Sequence, residues 1–274
     1  MRKLSIIILQ HNTPTFVEAN LAALKTAILP PDTHIIVVNN GGNDANTKIN
    51  PQAYTNLNVE FYDTPNHGFP AGNNFGLSKT SAEFYAFINP DIVVNNDTIQ
   101  KLLEYMEQNP KVGIVSPQLI YRDGTIQDNY RVFPRILDLI IKRIPTLHKY
   151  FQPRLRKYLM WDRDPNSNQA VDWVTGAFTI VSKACMDAIK KHDDDNYFLF
   201  MSDVVLCRDA YEHGFETHIV GTVKCLHNDT RVSSGGIKDV FKKRIIRLHI
   251  KDAISYFWHY KFKSIPKNAP SNHS

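Results

Sequence analysis

The sequence predicts an α/β fold, a mainly parallel central sheet flanked by helices, and three observations carry that expectation. Strand-like and helix-like patterns alternate through the first half of the chain, as crossover units do. The runs at residues 5–9 and 34–38 are β-branched and apolar without alternation, the pattern of strands buried on both faces. The 274 residues are 43% hydrophobic, enough for one substantial core.

After the first strand, Thr13 offers an N-cap and Pro14 a first-turn residue. Phe16, Val17, Leu21 and Leu24 then recur at helical spacing until Pro30 and Pro31. Behind the second strand, Asn39-Asn40-Gly41-Gly42 reads as a tight loop. Residues 59–62 form a short third strand, and the stretch PNHGFPAGNN is expected as a loop leading to a short helix at 75–79. Residues 84–88 make a fourth strand, which Asn89-Pro90-Asp91 stops. A helix over 98–108 with Asp97 as cap, a strand at 112–116 and a hairpin turn at YRDGT follow. Residues 171–181 return to a strand pattern.

Three polar clusters fall at the carboxyl ends of strands, where open α/β sheets bind ligands: Gln10 to Asn12, Asn39 to Gly42, and Asn89 to Asp91. Asn, Gly and Asp are also ordinary loop formers, so each cluster alone has a purely structural reading. Neither GxGxxG nor GxxxxGK[ST] follows the first strand, which argues against a glycine-cradled dinucleotide or triphosphate. A diphosphate would instead need a cation. Asp91, set by the rigid Pro90, is a reasonable hard ligand for Mg²⁺ or Mn²⁺. His227 has two readings, a metal or phosphate contact and a hydrogen-bonded structural residue.

The net charge of +5 conceals an asymmetry: residues 131–163 carry +7 and residues 235–263 carry +6, leaving −8 on the rest. Both basic segments interleave apolar residues at helical spacing. The first reads as an insert between two halves of a catalytic domain at 1–234. The second reads as a C-terminal extension, suited to an anionic membrane surface or to packing on the domain, and 264–274 as a disordered tail. With no nucleic-acid module in the chain, nucleic acid is disfavoured as the anionic partner. No run approaches the roughly 18–20 apolar residues of a membrane span. Cys185, Cys207 and Cys225 suggest neither disulfides nor a thiolate metal site, which fits a reducing cytosol, and the expected place is the cytoplasm or the inner membrane face.

The residues also carry a resemblance to the inverting glycosyltransferases of family 2, and to their bacterial rhamnosyltransferase-like branch. SIIILQHN resembles that family's SxIIxxYN, IIVVNNGGND its VVDNxSxD, PNHGFPAGNNFGL its NxGxAxGxNxG, and INPDIVV its LNPDxxx. VDWVTGAFTIVSKACMDAI, DDDNYFLFMSDVVLCRDAYEHGFE and HNDTRVSS follow in the family's order, so the resemblance spans roughly residues 4–234. It implies a GT-A-type domain that takes a nucleotide-diphosphate sugar, rhamnose as the best guess, and passes the sugar to a surface glycan or lipid-linked acceptor. Leu9, His11 and Asn40 fall where the family contacts the nucleoside, with Asn12, Asn39, Gly72, Asn74 and Asn89 in the same donor blocks. Asp91 falls on the metal-binding aspartate and Asp203 on the general base. Trp173, Gly176 and Ala177 fall on the acceptor side, Trp173 offering an aromatic face to a sugar ring.

The chain departs from the family pattern at four places. His11 stands for Tyr, Asn39 for Asp, Ser202 for Glu and Val205 for Asp. The rival readings are another metal-dependent transferase of nucleotide diphosphates and a non-catalytic membrane or glycan-binding scaffold.

Overall fold

The computed structural model describes residues 1–41, 49–228 and 240–260, with side chains from 247 onward in the last stretch. The elements of the first half are β1 (Arg2–Gln10), α1 (Pro14–Thr26), β2 (His34–Asn40), β3 (Val59–Thr64), α2 (Phe69–Leu77), β4 (Ala82–Ile88), β5 (Ile92–Val93), α3 (Thr98–Gln108) and β6 (Val112–Ile120). The insert supplies β7 (Tyr130–Arg131) and the short helices α4 (Ile136–Arg143), α5 (Pro145–His148) and α6 (Gln152–Tyr158). The chain continues through β8 (Asn168–Val171), β9 (Trp173–Val174), β10 (Phe178–Ser182), α7 (Lys183–Ile189), α8 (Ser202–Glu212), β11 (Glu216–His227) and α9 (Val240–His259).

The main sheet runs β3-β2-β1-β4-β10-β6-β11-β5, with β8 pairing the first half of β11 on the same edge as β5, opposite β6. β1 through β4 are mutually parallel, and β10 lies antiparallel between β4 and the parallel pair β6 and β11. Strands β1 and β2 are buried almost throughout, which is why their sequences do not alternate. One apolar core packs α1 and α3 against one face of the sheet, and a second packs α8 and α9 against the other.

Several local expectations change. Asn39 and Asn40 belong to β2, because β3 runs on to Thr64 and extends the ladder. The stretch expected as a loop at 65–74 is mostly α2, which begins directly after Gly68. That glycine has φ of 104° and its Cα is pressed against Phe198, so a Cβ there would sit 2.4 Å from the Phe198 carbonyl oxygen. Phe69 N–H donates to the same carbonyl at 2.6 Å, fastening the start of α2 to the segment before α8. Residues 171–181 form three strands, with the break at Thr175-Gly176-Ala177 lying in the cleft. Asp97 makes no capping bond through its side chain. Instead, Thr98 Oγ1 accepts from Asn95 N–H at 3.0 Å.

α9 packs on the domain along one face. Asp252 is 0% exposed and accepts from the backbone N–H groups of Leu199 and Phe200 at 3.1 and 2.8 Å. Tyr256 and Tyr260 are buried against α8, where Arg208 donates to the Tyr256 hydroxyl at 3.0 Å and Tyr260 donates to Asp209 at 2.8 Å. The apolar and basic residues expected at 237–246, and the tail at 264–274, lie outside the described side chains. No helix among the described residues is long and apolar enough to cross a membrane.

Asp252 ties the C-terminal helix to the loop that precedes α8. Replacing Asp252 with Ala leaves two partly buried N–H donors without their acceptor, and denaturant unfolding is expected to show a loss of about 1–3 kcal/mol. An unchanged midpoint would show that α9 adds nothing to the fold.

Candidate active site

The carboxyl ends of the central strands open into a cleft of ≈560 Å³ whose walls include Asn89, Gln127, Arg131, Gly176, Asp203 and His227. Its geometry begins with the end of β4. Pro90 has no N–H to continue a ladder, so the strand stops there. Asn89 N–H still donates to the carbonyl of Ala177 at 2.8 Å, one rung beyond the β4–β10 pairing. Asp91 follows at once, with β5 behind it. Because β5 pairs with β11 in the register Ile92↔His227, His227 comes to lie beside Asp91, its Nε2 3.4 Å from Asp91 Oδ2.

Gln127 sets the state of that histidine. Its amide nitrogen donates to the His227 carbonyl at 3.3 Å, which turns its oxygen to His227 Nδ1 at 2.8 Å. Nδ1 therefore carries the proton, and in the neutral ring the Nε2 lone pair faces a carboxylate. Two acceptors at that spacing repel unless a proton or a cation lies between them.

Asp203 stands in the first turn of α8, next to Met201, whose left-handed φ of 62° starts the helix abruptly. One carboxylate oxygen accepts from Val204 N–H at 2.9 Å and the other from Gly176 N–H at 3.4 Å. Burial pushes the Asp203 carboxyl above its ordinary range, against the opposing pull of those N–H groups and of the Arg131 guanidinium. Ser202 and Val205 are both buried, so an acid at either position would carry a further charge into the interior.

On the β1–β2 side, Leu9, His11, Asn12 and Asn40 come together. His11 Nδ1 donates to the Asn40 carbonyl at 2.7 Å, and its ring lies over Gly41, where a Cβ would stand 2.5 Å from Nδ1. Asn12 adopts φ of 56° and is exposed. Asn40 donates to the Gly68 carbonyl at 2.9 Å. Asn39 is fully buried and donates to Asp63 Oδ1 at 2.7 Å, so a carboxylate from β3 stands beside the position where β2 has none.

Three expected site residues do other work. Gly72 is buried under Leu9, where a Cβ would stand 2.4 Å from Leu9 Cδ1, so it serves the close packing of α2 on β1. Asn74 spends both ends of its amide on the backbone of His192, at 2.8 and 3.0 Å, and offers nothing to a ligand. Trp173 is buried with its indole N–H donating to the Val132 carbonyl at 2.9 Å, and the Arg131 guanidinium covers its ring at 4.9 Å from the centroid. Its face is therefore closed to a sugar.

The model of "Glycosyl transferase family 2" matches residues 5–171. The chain belongs to that family. Rhamnosyltransferase WbbL of Escherichia coli K12 is 24% identical over 92% of this chain and 91% of its own. An N-acetylglucosaminyl-diphospho-decaprenol L-rhamnosyltransferase of Mycobacterium tuberculosis is 22% identical over 82% of this chain and 76% of its own. Among solved structures, S. aureus TarS 1-349 in complex with UDP-GlcNAc superposes with a TM-score of 0.58 at 15% identity, covering 93% of this chain and 66% of that one. The fold is thus the GT-A type, and the chain is a glycosyltransferase of family 2 with rhamnosyltransferase-like relatives.

Were a divalent cation bound here, the Asp91–His227 pair would hold it. Asp91 supplies a hard oxygen, His227 an unprotonated nitrogen, and Gln127 orients the ring from behind, as outer hydrogen bonds do at metal sites. Among the described residues no cluster of three or more His, Cys, Asp or Glu side chains is present, so a cation there would take its remaining ligands from the substrate and water. Gln127, Arg131, Lys142 and Asp63 are the site residues that the sequence reading missed. Gln127 lies just past the expected turn, and Asp63 sits past the expected end of its strand. Arg131 and Lys142 lie in the basic amphipathic insert, which reads as a lid or a dock for a lipid-linked diphosphate acceptor without singling out either residue.

The tautomer is testable on the protein alone. Replacing Gln127 with Leu removes the acceptor at Nδ1, and Mn²⁺ affinity measured by electron paramagnetic resonance with a nucleoside diphosphate present is expected to fall roughly 10–100-fold. Unchanged affinity would place the cation elsewhere.

Proposed function

We propose that this chain transfers a sugar from a nucleotide-diphosphate donor to a lipid-linked surface glycan, with a divalent cation and with inversion at the anomeric carbon. Rhamnose is the favoured sugar, on the resemblance to rhamnosyltransferases. The lipid-linked acceptor follows the mycobacterial relative, which is named for an N-acetylglucosaminyl-diphospho-decaprenol. The observation that carries the reading is the hydrogen bond from Asn89 to Ala177, around which one cleft is lined by both Asp203 and His227, the partner of Asp91.

The nucleoside would lie against Leu9, His11 and Asn40, and the diphosphate toward Asp91 and His227. A Mg²⁺ or Mn²⁺ ion held there would neutralise charge on the departing diphosphate. Asp203 takes the proton of the acceptor hydroxyl. The acceptor oxygen then bonds to the anomeric carbon as the bond to the diphosphate oxygen breaks, with the electron pair leaving on the nucleoside diphosphate. A base whose pKa lies above that of an ordinary carboxylate is better matched to neutral pH.

The working place proposed is the surface of an anionic membrane. On α9, Ile250, Ile254 and Trp258 recur every four residues and are 52%, 63% and 76% exposed, opposite the face that buries Asp252 and Tyr256. On α4, Ile136, Leu137 and Ile140 are also exposed, as is Ile144 just past its end. The pKa of His249 on α9 is lowered by burial and then by the charges of Arg143 and Lys142, which puts the end of α4 near the middle of α9. Arg143 and Lys251 are exposed on the same stretches.

A thermal-shift panel of nucleotide-diphosphate sugars tests the donor reading. At least one is expected to raise the melting temperature, more so with Mn²⁺, and a panel without effect would overturn it. Asp203→Asn is expected to lower kcat by roughly 10²–10⁴-fold while leaving donor binding intact. Because the base must be deprotonated, the wild-type rate falls as pH drops through the raised pKa of Asp203. Arg131 opposes that rise, so Arg131→Gln is expected to move the acidic limb to higher pH, and a limb that stays in place or moves down would remove Asp203 from the role.

Flotation with phosphatidylglycerol vesicles tests the membrane face. Changing Ile254 and Trp258 together to Ser removes about 1.5–3 kcal/mol per buried side chain and is expected to weaken binding more than tenfold. Equal flotation of variant and wild type would contradict it.

A further inference from the structure

Two cations in the cleft touch neither the donor nor the transferred proton in the reaction described above, although Arg131 tunes Asp203. Arg131, on β7, is only 9% exposed and yet lines the cleft. Its guanidinium carbon lies over the Trp173 ring, 4.9 Å from the centroid, and one terminal nitrogen donates to the Asp128 carbonyl at 2.8 Å. Its buried Nε–H meets no hydrogen-bond partner among the described residues. A buried charged donor left open in this way costs stability unless a ligand takes it.

Lys142 reaches the same cleft from α4. Among the described residues, neither cation forms an ion pair with a carboxylate. Asp128 is near both, but its Oδ1 is engaged by the indole N–H of Trp161 at 2.8 Å. Lys142 is exposed as a residue and lines the cleft, where desolvation, followed by the charge of Arg131, lowers its pKa to about 7, so a bound anion would complete its charge at neutral pH. Two cations pointed into one recess, with an N–H to spare, make a site for an anion.

The pair belongs to the Asp203 side. Arg131 acts on the Asp203 carboxyl and Asp203 on Lys142, and β7 pairs with β9 through Arg131↔Trp173, just before the Gly176 that donates to Asp203. The donor diphosphate has its own place by Asp91 and His227. The same helix that carries Lys142 to the cleft shows Ile136, Leu137 and Ile140 outward, with Ile144 just past its end.

We propose that Arg131 and Lys142 form an anion subsite that takes the phosphate of a diphosphate-linked lipid acceptor, whose hydrocarbon leaves over the outer face of α4. The subsite rests on the transferase reading. It makes the acceptor's phosphate, and not its sugar alone, what the enzyme recognises. It also gives the basic insert a purpose at the cleft. Arg131 is a planar donor set over an indole ring, suited to two phosphate oxygens, and Lys142 is a mobile point charge beside it.

The test uses the full chain with a saturating nucleoside diphosphate and Mg²⁺, so that the donor place is filled. Binding of geranyl diphosphate, of geraniol and of inorganic phosphate is measured by calorimetry for the wild type, Arg131→Gln, Lys142→Gln and Lys142→Arg. Geranyl diphosphate is expected to bind the wild type and Lys142→Arg, and to bind each Gln variant roughly tenfold more weakly. Inorganic phosphate should bind more weakly and follow the same order, and geraniol should not distinguish the four proteins. Equal affinity of geranyl diphosphate for the wild type and both Gln variants, or no affinity for the wild type, overturns the subsite.

Phosphatidylglycerol vesicle binding is expected to be the same in all four. If it falls in the Gln variants while geranyl diphosphate binding does not, the cations serve lipid headgroups and the proposal is wrong. Nucleoside diphosphate binding separates the two claims. Retained in every variant, it shows that the loss is local to the subsite. Absent even from the wild type, it sinks the transferase reading, and geranyl diphosphate binding still decides the subsite.

Discussion

One backbone hydrogen bond, from Asn89 N–H to the Ala177 carbonyl, organises the cleft. It adds a rung to the antiparallel pairing of β4 with β10 at the point where Pro90 prevents β4 from continuing. Two residues beyond Asn89 stands Asp91, and β5 and β11 bring His227 to it. One residue before Ala177 stands Gly176, whose N–H holds Asp203. The two chemical ends of the site are thus tied through main chain, and their separation is set by strand register instead of by flexible side chains. That is the rigidity a transfer between two bound substrates needs.

Around this frame the charges are arranged in opposition. Asp203 is buried enough to raise its pKa, and Arg131 and two backbone N–H groups pull against that rise. Asp91 and His227 face each other with a histidine nitrogen that Gln127 keeps unprotonated in the neutral ring. In each half the bare protein holds a group in a state that substrate or cation would relieve. The buried Nε of Arg131 repeats the pattern. Sites that wait for charged ligands carry such incomplete pairs, while the core around them is apolar and closed.

Much of this was legible in the sequence, and the parts that were not share a cause. The uninterrupted apolar runs gave β1 and β2 correctly, because burial on both faces suppresses alternation. Asn-Pro-Asp marked the end of β4, because proline cannot donate to a ladder. The partnership of Asp91 and His227 could only be guessed, since 136 residues separate them and the β5–β11 register alone brings them together. Trp173 was misplaced because a strand shows which residues alternate without showing what covers each face, and here Arg131 covers the ring. Asn74 has the composition of a ligand contact, but its amide is consumed by the backbone of a distant loop. Arg131 and Lys142 were hidden by their own neighbourhood. In a run of cations and apolar residues, nothing local separates the two that turn inward from those that remain on the surface.

The account stands on a single placement, with the diphosphate between Asp91–His227 and Asp203. A crystal structure of the Asp203→Asn variant with Mn²⁺ and a nucleotide-diphosphate sugar tests that placement directly. The account predicts the cation on Asp91 Oδ2 and His227 Nε2, the nucleoside against Leu9, His11 and Asn40, and the anomeric carbon facing residue 203. A nucleotide bound elsewhere, or a cation that leaves His227 paired with Asp91, would contradict it.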